Sequence, residues 1–167
     1  MEIKVSMKLE VKDLYGFLMH HIYASSAGIL GLVLSVGGFV GFFYMLTLDN
    51  ANPMFIGALF MIGLMFTVIQ PIITYTKAKK QVKENAQKSQ DMLEYVISKR
   101  GIEVTQGELN GSSTWDEIVR IESTKNLIMM YTSKVHAYVI PKRFLEEHRE
   151  EYIELVRENC QAGYIKL

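Results

Sequence analysis

Two adjacent cations, Lys142 and Arg143, follow a proline at the end of an alternating apolar run in the stretch HAYVIPKRFLEE. An acidic, helix-like stretch begins directly after them. Free N–H groups at a helix start bind anions, and cations placed there oppose the helix dipole. The pair is therefore a candidate contact for an anion or a partner. The alternative, which we favour, is that Pro141 ends the strand, Phe144 enters the core and both cations lie in solvent.

A second basic group directly follows a long apolar run and consists of Lys77, Lys79, Lys80 and Lys83. At the inner leaflet of a membrane, each lysine would gain about 1 kcal/mol from anionic lipid. The group is therefore a candidate lipid-binding or partner-binding site. The alternative is that these lysines only set the topology of the chain.

Other chemistry is scarce in the sequence. The motifs G-x-S-x-G, H-E-x-x-H, the P-loop and GxGxxG are all missing. Cys160 is the single cysteine, and His20 and His21, as neighbours on a helix, would point about 100° apart. The net charge is zero, so no overall field attracts nucleic acid. We therefore predict no enzyme activity, no cofactor, no metal and no nucleic acid partner.

The elements that carry the basic groups begin with two apolar runs, at about 22–48 and 53–75. Asp49 is the one Asp, Glu, Lys or Arg between Leu14 and Thr76. Each run exceeds the roughly 20 residues that a helix needs to cross the hydrocarbon core. Only four residues, 49–52, join the two runs. The pattern predicts a transmembrane hairpin of two antiparallel helices, preceded by a juxtamembrane helix, over residues 13–76.

The basic residues predict the orientation of this hairpin. Its turn contains no Lys or Arg, whereas lysines lie on both outer flanks: Lys4, Lys8 and Lys12 before the first run, and the four lysines from Lys77 to Lys83 after the second. Cytoplasmic loops carry the excess of Lys and Arg. We therefore expect both termini to be cytoplasmic.

Small residues recur along the first span at three- and four-residue spacing. Spacing of this kind lets helices approach closely in lipid. It indicates packing against the second span or, as an alternative, a homo-oligomer formed through the same face. The residues are Ala24, Ala27, Gly28, Gly31 and Ser35, with a GxxxG at Gly37 and Gly41.

The remaining parts of the chain read as one soluble domain interrupted by the hairpin. Residues 2–12 alternate apolar and polar, which predicts a strand that joins a cytoplasmic sheet. Residues 77–91 form a polar helix or linker. Over 92–167 the pattern predicts short strands at MLEYVIS, IEVTQ, TWDEIVRIES, LIMMYT and VHAYVI, a loop at 107–111, and an amphipathic helix from Arg143. The fold class is thus α+β, with a small antiparallel barrel or bent sheet of pleckstrin-homology (PH) outline.

This layout resembles the YcxB-like bacterial membrane proteins. The resemblance depends on the run W-x-x-I-x-x-I at Trp115, Ile118 and Ile121, on the apolar strand LIMMY, and on IPKR-F from Ile140 to Phe144. It implies a PH-like cytoplasmic domain tethered to the inner membrane, and it supplies no reaction.

We therefore expect a non-enzymatic protein of the bacterial cell membrane that presents a PH-like domain to a protein partner or to the lipid surface. One alternative is a subunit of a membrane transport or envelope-stress complex, in which the hairpin is the working part. Another is an immunity or regulatory protein for a neighbouring gene product.

Overall fold

Eight β-strands and five α-helices are formed in the computed structural model, which describes residues 2–87, 92–134 and 136–166. The chain divides into two units. The sheet unit comprises Met1–Phe17 and Gln81–Leu167, and the hairpin unit comprises Leu18–Lys80. The fold is mixed α+β, with two apolar helices and two small sheets.

The first sheet joins the N-terminal strand to strands that come after the hairpin. Its order is β1 (Glu2–Lys8), β2 (Met92–Ser98), β3 (Gly101–Gln106) and β4 (Leu109–Thr114), and all neighbours are antiparallel. Alternation along β1 buries one face only. Ile3, Val5 and Met7 lie opposite Ile97, Tyr95 and Leu93, and all six are buried.

The turn between β2 and β3 requires a glycine. Gly101 has φ +143°, and a Cβ atom there would lie 2.1 Å from the carbonyl oxygen of Ser113. The turn at Lys99 and Arg100 joins the two predicted strands MLEYVIS and IEVTQ.

One loop prediction and one strand prediction in the next segment are wrong. The predicted loop at 107–111 contains the first half of β4, and its turn is confined to Gly107 and Glu108. The predicted single strand TWDEIVRIES is a 3-10 turn, Trp115–Glu117, followed by the short strand β5 (Arg120–Ser123). A capping box between Thr114 and Glu117 stabilises the turn, so the chain bends where its apolar spacing suggests extension.

The second sheet has the order β7 (Ala137–Pro141), β6 (Leu127–Tyr131), β5 and β8 (Tyr164–Ile165). The first three are antiparallel, while β8 pairs parallel to β5. Strand β8 is not predicted from the sequence, because it has only two residues and follows a helix.

Strand β6 is buried on both faces. Ile128 and Met130 belong to the main core, which also contains buried residues from both sheets and from α5 (Arg149–Asn159). Leu127, Met129 and Tyr131 form a second cluster with Val139, and Phe17 packs against it. Burial on both faces explains why LIMMY is continuously apolar rather than alternating.

Two element boundaries differ from the prediction. The strand predicted over 2–12 ends at Lys8, and α1 (Val11–Tyr23) follows. The helix predicted from Arg143 begins at Arg149, after 3-10 turns at Lys142–Phe144 and Glu146–His148.

The hairpin unit contains α2 (Ser26–Met45) and a second long helix. That helix consists of α3 (Pro53–Leu64), a π-helical segment (Met65–Ile69) and α4 (Gln70–Gln87), whose last residues belong to the sheet unit. Both helices are long and apolar enough to cross a membrane, by length and composition. Only 22% of the most apolar window of α2 is buried. In the second helix, the buried share of the corresponding window is 6%. The core helix of a water-soluble protein would be mostly buried, so these helices expose their apolar surface.

The small-residue face of α2 packs within the hairpin unit. Cβ atoms added at Gly31 and Gly38 would meet the Phe66 ring at 2.3 Å and the Gly63 nitrogen at 2.8 Å. The Ser35 hydroxyl lies 2.8 Å from the carbonyl oxygens of Ile62 and Gly63, and it accepts the Phe66 N–H at 3.0 Å. This is the predicted packing of the first span against the second.

Candidate functional site

Arg143 forms a bidentate ion pair with Asp13 inside the sheet unit. Its Nη1 and Nη2 atoms donate to Oδ1 and Oδ2 of Asp13, each at 2.6 Å. Nη2 also donates to Oε1 of Glu10 at 3.2 Å. The guanidinium carbon lies 4.7 Å from the centre of the Phe144 ring. A planar guanidinium suits this fork-like contact, which a lysine could not reproduce.

Helix α1 positions the acidic side of this pair. Glu10 directly precedes the helix, and Asp13 accepts the Glu10 N–H at 2.8 Å through Oδ2. This is the acidic half of a capping box, in which a side chain in the first turn returns to the residue before the helix. Asp13 thereby joins the start of α1 to the junction between β7 and the C-terminal helical segment.

The pair has defined electrostatics. Burial raises the pKa of the Asp13 carboxyl, but hydrogen bonds from Arg143 and from the Glu10 backbone outweigh burial, so the pKa is lowered below its ordinary 3.8. The hydrogen bond to Asp13 raises the pKa of Arg143. Both groups are therefore charged at neutral pH. The Asp13 side chain is only 2% exposed, so its charge depends on this partner.

The prediction that both cations lie in solvent is wrong for Arg143. Its charge is balanced by a carboxylate 130 residues earlier in the chain. The sequence pattern around PKR gives no sign of Asp13, because the two residues meet only through the tertiary fold. Arg143 has a structural role in the sheet unit whether or not it also contacts a ligand.

Lys142 differs from its neighbour. Its backbone N–H donates to the Asn126 carbonyl at 2.8 Å, while its half-buried side chain has no ion pair or hydrogen bond with the described residues. It borders a groove of about 590 Å³, together with Lys12, Asp13, Lys125, Arg143 and Glu146. The groove thus contains one satisfied guanidinium and a lysine ammonium without a protein partner in the described part of the chain.

A second lobe of about 300 Å³ shares Lys125, Lys142 and Glu146 with this groove and extends to Arg149 and Tyr152. Tyr152 is 1% exposed, and its hydroxyl finds no hydrogen-bond partner among the described residues. Burial raises the pKa of this phenol, so it stays protonated and can act as a donor. The two lobes together are called the basic groove below.

The second predicted basic group lies on a different element. Lys77, Lys79, Lys80 and Lys83 are all exposed along α4, whereas Thr74 and Ala78 are buried. The four side chains therefore occupy the accessible side of an otherwise partly buried helix. The structure assigns them no ligand.

The motif W-x-x-I-x-x-I serves the core. Trp115, Ile118 and Ile121 are all buried in the main cluster, and the Trp115 indole N–H donates to the Ser98 carbonyl at 2.9 Å. Asp116 and Glu117 lie in the 3-10 turn, where Glu117 accepts the Thr114 N–H at 3.1 Å. This motif therefore holds the link between the two sheets.

Four residues of the site were missed from the sequence: Glu10, Asp13, Lys125 and Tyr152. A local signal existed for the first two, since an acidic residue three positions after a helix cap is a known start signal. Lys125 lies in the short connection between β5 and β6, and Tyr152 lies on the buried face of α5, so the local sequence pattern around each gives no sign of a site.

A protein-family model matches part of the chain. No curated protein and no solved structure matches the chain. The matched segment runs from β2 into α5 and includes Trp115 and Lys142-Arg143, whereas Glu10 and Asp13 precede it. Over residues 97–158 the chain matches the YcxB-like protein family, which confirms the resemblance inferred from the sequence.

Proposed function

We propose that this chain is a non-enzymatic protein of the bacterial inner membrane that presents a cytoplasmic PH-like domain to a protein partner or to the lipid surface. The observation that carries the proposal is the pairing of β1 with β2 over residues Glu2–Lys8 and Met92–Ser98, on either side of both apolar helices. One hydrogen-bonded sheet lies on one side of a membrane, so the chain between these strands crosses it an even number of times. Two candidate spans satisfy that condition.

Lysine placement supports a cytoplasmic sheet unit. The short connection between α2 and α3 contains no Lys or Arg, whereas lysines precede α2 and occupy α4. The positive-inside rule counts residues close to the ends of the spans, as these are. The exposed lysines of α4 also suit an anionic lipid surface.

Fold-level features support the PH-like description. Two sheets of mainly antiparallel strands share one core, and α5 contributes Tyr152, Leu155 and Val156 to it. A sheet core closed by a C-terminal helix is the PH outline. The non-enzymatic part of the proposal depends on the sequence, in which G-x-S-x-G, H-E-x-x-H, the P-loop and GxGxxG are missing.

Reporter fusions test this topology. Alkaline phosphatase, which is active only outside the cytoplasm, should be active when fused after residue 51 and inactive after residue 166. A green fluorescent protein fusion should show the reverse pattern. The two-span anchor would be excluded if the fusions after residues 51 and 166 reported the same side of the membrane. Full extraction of the chain by alkaline carbonate would also exclude it.

The π-helical segment favours a second candidate function, as a subunit of a membrane transport or envelope-stress complex. Such segments occur often at functional sites, and this one is surrounded by polar contacts from Ser35 and Tyr23 to the backbone of the second helix. Replacing residues 18–80 by an unrelated two-helix hairpin distinguishes the candidates. If in-cell crosslinking still captures the same partners, the sheet unit is the working part; if the partners are lost while the protein remains in the membrane, the hairpin is.

A further inference from the structure

The backbone holds two cations of the basic groove at one end of the second sheet. Leu127 pairs with Pro141 at the end of β6 and β7, so Lys125 and Lys142 come from the adjoining chain segments. The hydrogen bond from the Lys142 N–H to the Asn126 carbonyl, at 2.8 Å, joins these segments directly. Their closeness is therefore a property of the sheet rather than of two flexible side chains.

The charge balance of the groove favours an anion. Asp13 and Arg143 neutralise each other, and Glu10 lies 3.0 Å from the Lys12 ammonium. Lys125, Lys142 and Arg149 have no ion pair within the described residues, and Glu146 is the remaining acidic residue of the lining. Three cations thus face one carboxylate.

The position of Lys142 also points to a bound group. The residue is half-buried, and its ammonium has no ion pair or hydrogen bond with the described residues. An anion with several oxygen acceptors would supply a partner. The main lobe, at about 590 Å³, is within the usual size range of small-molecule sites.

We propose that the basic groove binds a phosphoryl group through Lys125 and Lys142, with Arg149 at its edge. The inference rests on the proposed function of the sheet unit as a binding module and names its ligand chemistry. A phosphoryl group fits better than a single carboxylate, because three cations surround the space and phosphate offers more acceptor oxygens. The group belongs either to the headgroup of an anionic lipid or to a soluble phosphate compound.

Thermal unfolding of the full chain in dodecyl maltoside tests the proposal, with Trp115 fluorescence as the readout. Two phosphate probes are titrated in separate arms: inorganic pyrophosphate, and dihexanoyl phosphatidylglycerol as a short anionic lipid. Dihexanoyl phosphatidylcholine, which is zwitterionic, serves as the lipid control. A saturable rise in Tm with pyrophosphate assigns a soluble source, and a rise with phosphatidylglycerol alone assigns a headgroup.

The double variant Lys125→Gln/Lys142→Gln should bind the active probe at least roughly tenfold more weakly, since it loses two charge-assisted contacts. Lys99→Gln/Lys134→Gln is the matched control, because it removes two exposed lysines that do not line the groove. Lys142→Arg keeps the charge and should retain binding, which separates loss of the site from loss of the fold.

Two results would overturn the proposal: absence of saturable binding of either phosphate probe to the folded wild type, or equal weakening in the matched control. A saturable rise with phosphatidylcholine of the same size would also overturn it, as a response to detergent-like lipid. None of these outcomes changes the result expected from the reporter fusions. Failure of the membrane-anchor proposal and failure of the phosphoryl-binding proposal can therefore be distinguished.

Discussion

In the hairpin unit the buried Ser35 hydroxyl contacts three backbone groups, whereas in the sheet unit the buried Tyr152 hydroxyl has no partner among the described residues. Both side chains are 1% exposed. In a regular α-helix the Phe66 N–H would donate to the Ile62 carbonyl, but the Ser35 hydroxyl accepts it instead, where the π-helical segment begins. A buried hydroxyl thus replaces a missing backbone acceptor in the hairpin unit, whereas in the sheet unit a buried hydroxyl has no partner among the described residues.

The proposed membrane topology explains this difference. A helix in lipid has no water to replace a missing backbone partner, so an interrupted helix must obtain one from a neighbouring helix. In the proposed topology the sheet unit lies in water. Among the described residues, its one buried charged side chain is Asp13, which pairs with Arg143, and its one buried side-chain oxygen without a partner is the Tyr152 hydroxyl. If this comparison holds, the two units should respond independently and with opposite signs to matched changes.

Deletion of β1 is expected to have the largest effect. It removes Ile3, Val5 and Met7, each buried and each contributing about 1.5–3 kcal/mol, together with the β1–β2 ladder. The loss is comparable to the total stability of a domain, about 5–15 kcal/mol, so the sheet unit should unfold. Limited proteolysis of membranes should then degrade the chain after residue 92 and spare the two apolar helices.

A triple alanine change at Glu2, Lys4 and Ser6, on the exposed face of β1, is the matched control and should leave protease resistance unchanged. Unchanged resistance after the deletion itself would show that the sheet unit does not depend on its N-terminal strand.

Arg143→Met comes next and should destabilise the sheet unit by about 3 kcal/mol. The methionine keeps much of the packing but leaves the buried Asp13 carboxylate without its guanidinium. Urea unfolding followed by the fluorescence of Trp115, the single tryptophan, measures the change. Lys142→Met is the control in the adjacent position, and it should cost less than about 0.5 kcal/mol because no pair is broken. Equal costs would show that the ion pair contributes nothing specific.

The same pair predicts a pH dependence. The folded pKa of Asp13 is lowered, so its contribution to stability is fully present above the unfolded value of 3.8 and is lost as the pH falls through the folded value. Without Arg143, burial would raise the pKa of Asp13. Protonation of this carboxyl at low pH would then remove the unpaired buried charge from the Arg143→Met variant. The stability gap between wild type and Arg143→Met should narrow as the pH is lowered toward and below 3.8. A gap that stays constant would contradict the assignment of the pair.

The local elements were largely predictable because their signals are periodic. Alternation from Glu2 to Lys8 indicated a strand, and that strand pairs with β2 as in the predicted layout. The apolar runs indicated two long helices, and the small residues of α2 lie in its packing face. The start of α5 was misplaced because two short 3-10 turns precede it, and turns of three residues have no periodic signal.

The site was predictable only in part. Lys142 and Arg143 stood out as charges at a strand end, but their different roles depend on Asp13, 130 positions away, and on the Asn126 backbone. The parallel strand β8 and the π-helical segment likewise arise from tertiary contacts. Sequence pattern locates charged residues, and only the fold decides which charges are already paired.

Ser35→Ala tests the hairpin side of the comparison. The variant should destabilise the hairpin by about 1.5 kcal/mol, near the upper end for polar contacts between membrane helices, because the Phe66 N–H loses its acceptor. Unfolding in mixed micelles, followed by energy transfer between labels at the ends of the two helices, measures it. Ser26→Ala, at an exposed position, is the control and should be neutral. If the helix simply regains the Phe66–Ile62 bond, the variant will lose no stability and the π-helical segment does not depend on Ser35.

Tyr152→Phe gives the smallest expected effect, and its sign is opposite. Without ligand, the change removes an unpaired buried hydroxyl and keeps the ring, so the sheet unit should gain up to about 1 kcal/mol. Urea unfolding, followed by Trp115 fluorescence, measures the gain. Tyr138→Phe is the matched control, because the Tyr138 hydroxyl lies 3.0 Å from that of Ser113 and its removal should lower the stability. A loss of stability in Tyr152→Phe would mean that water or another group already satisfies this hydroxyl. The contrast with Ser35 would then disappear, since both units would satisfy every buried hydroxyl compared here.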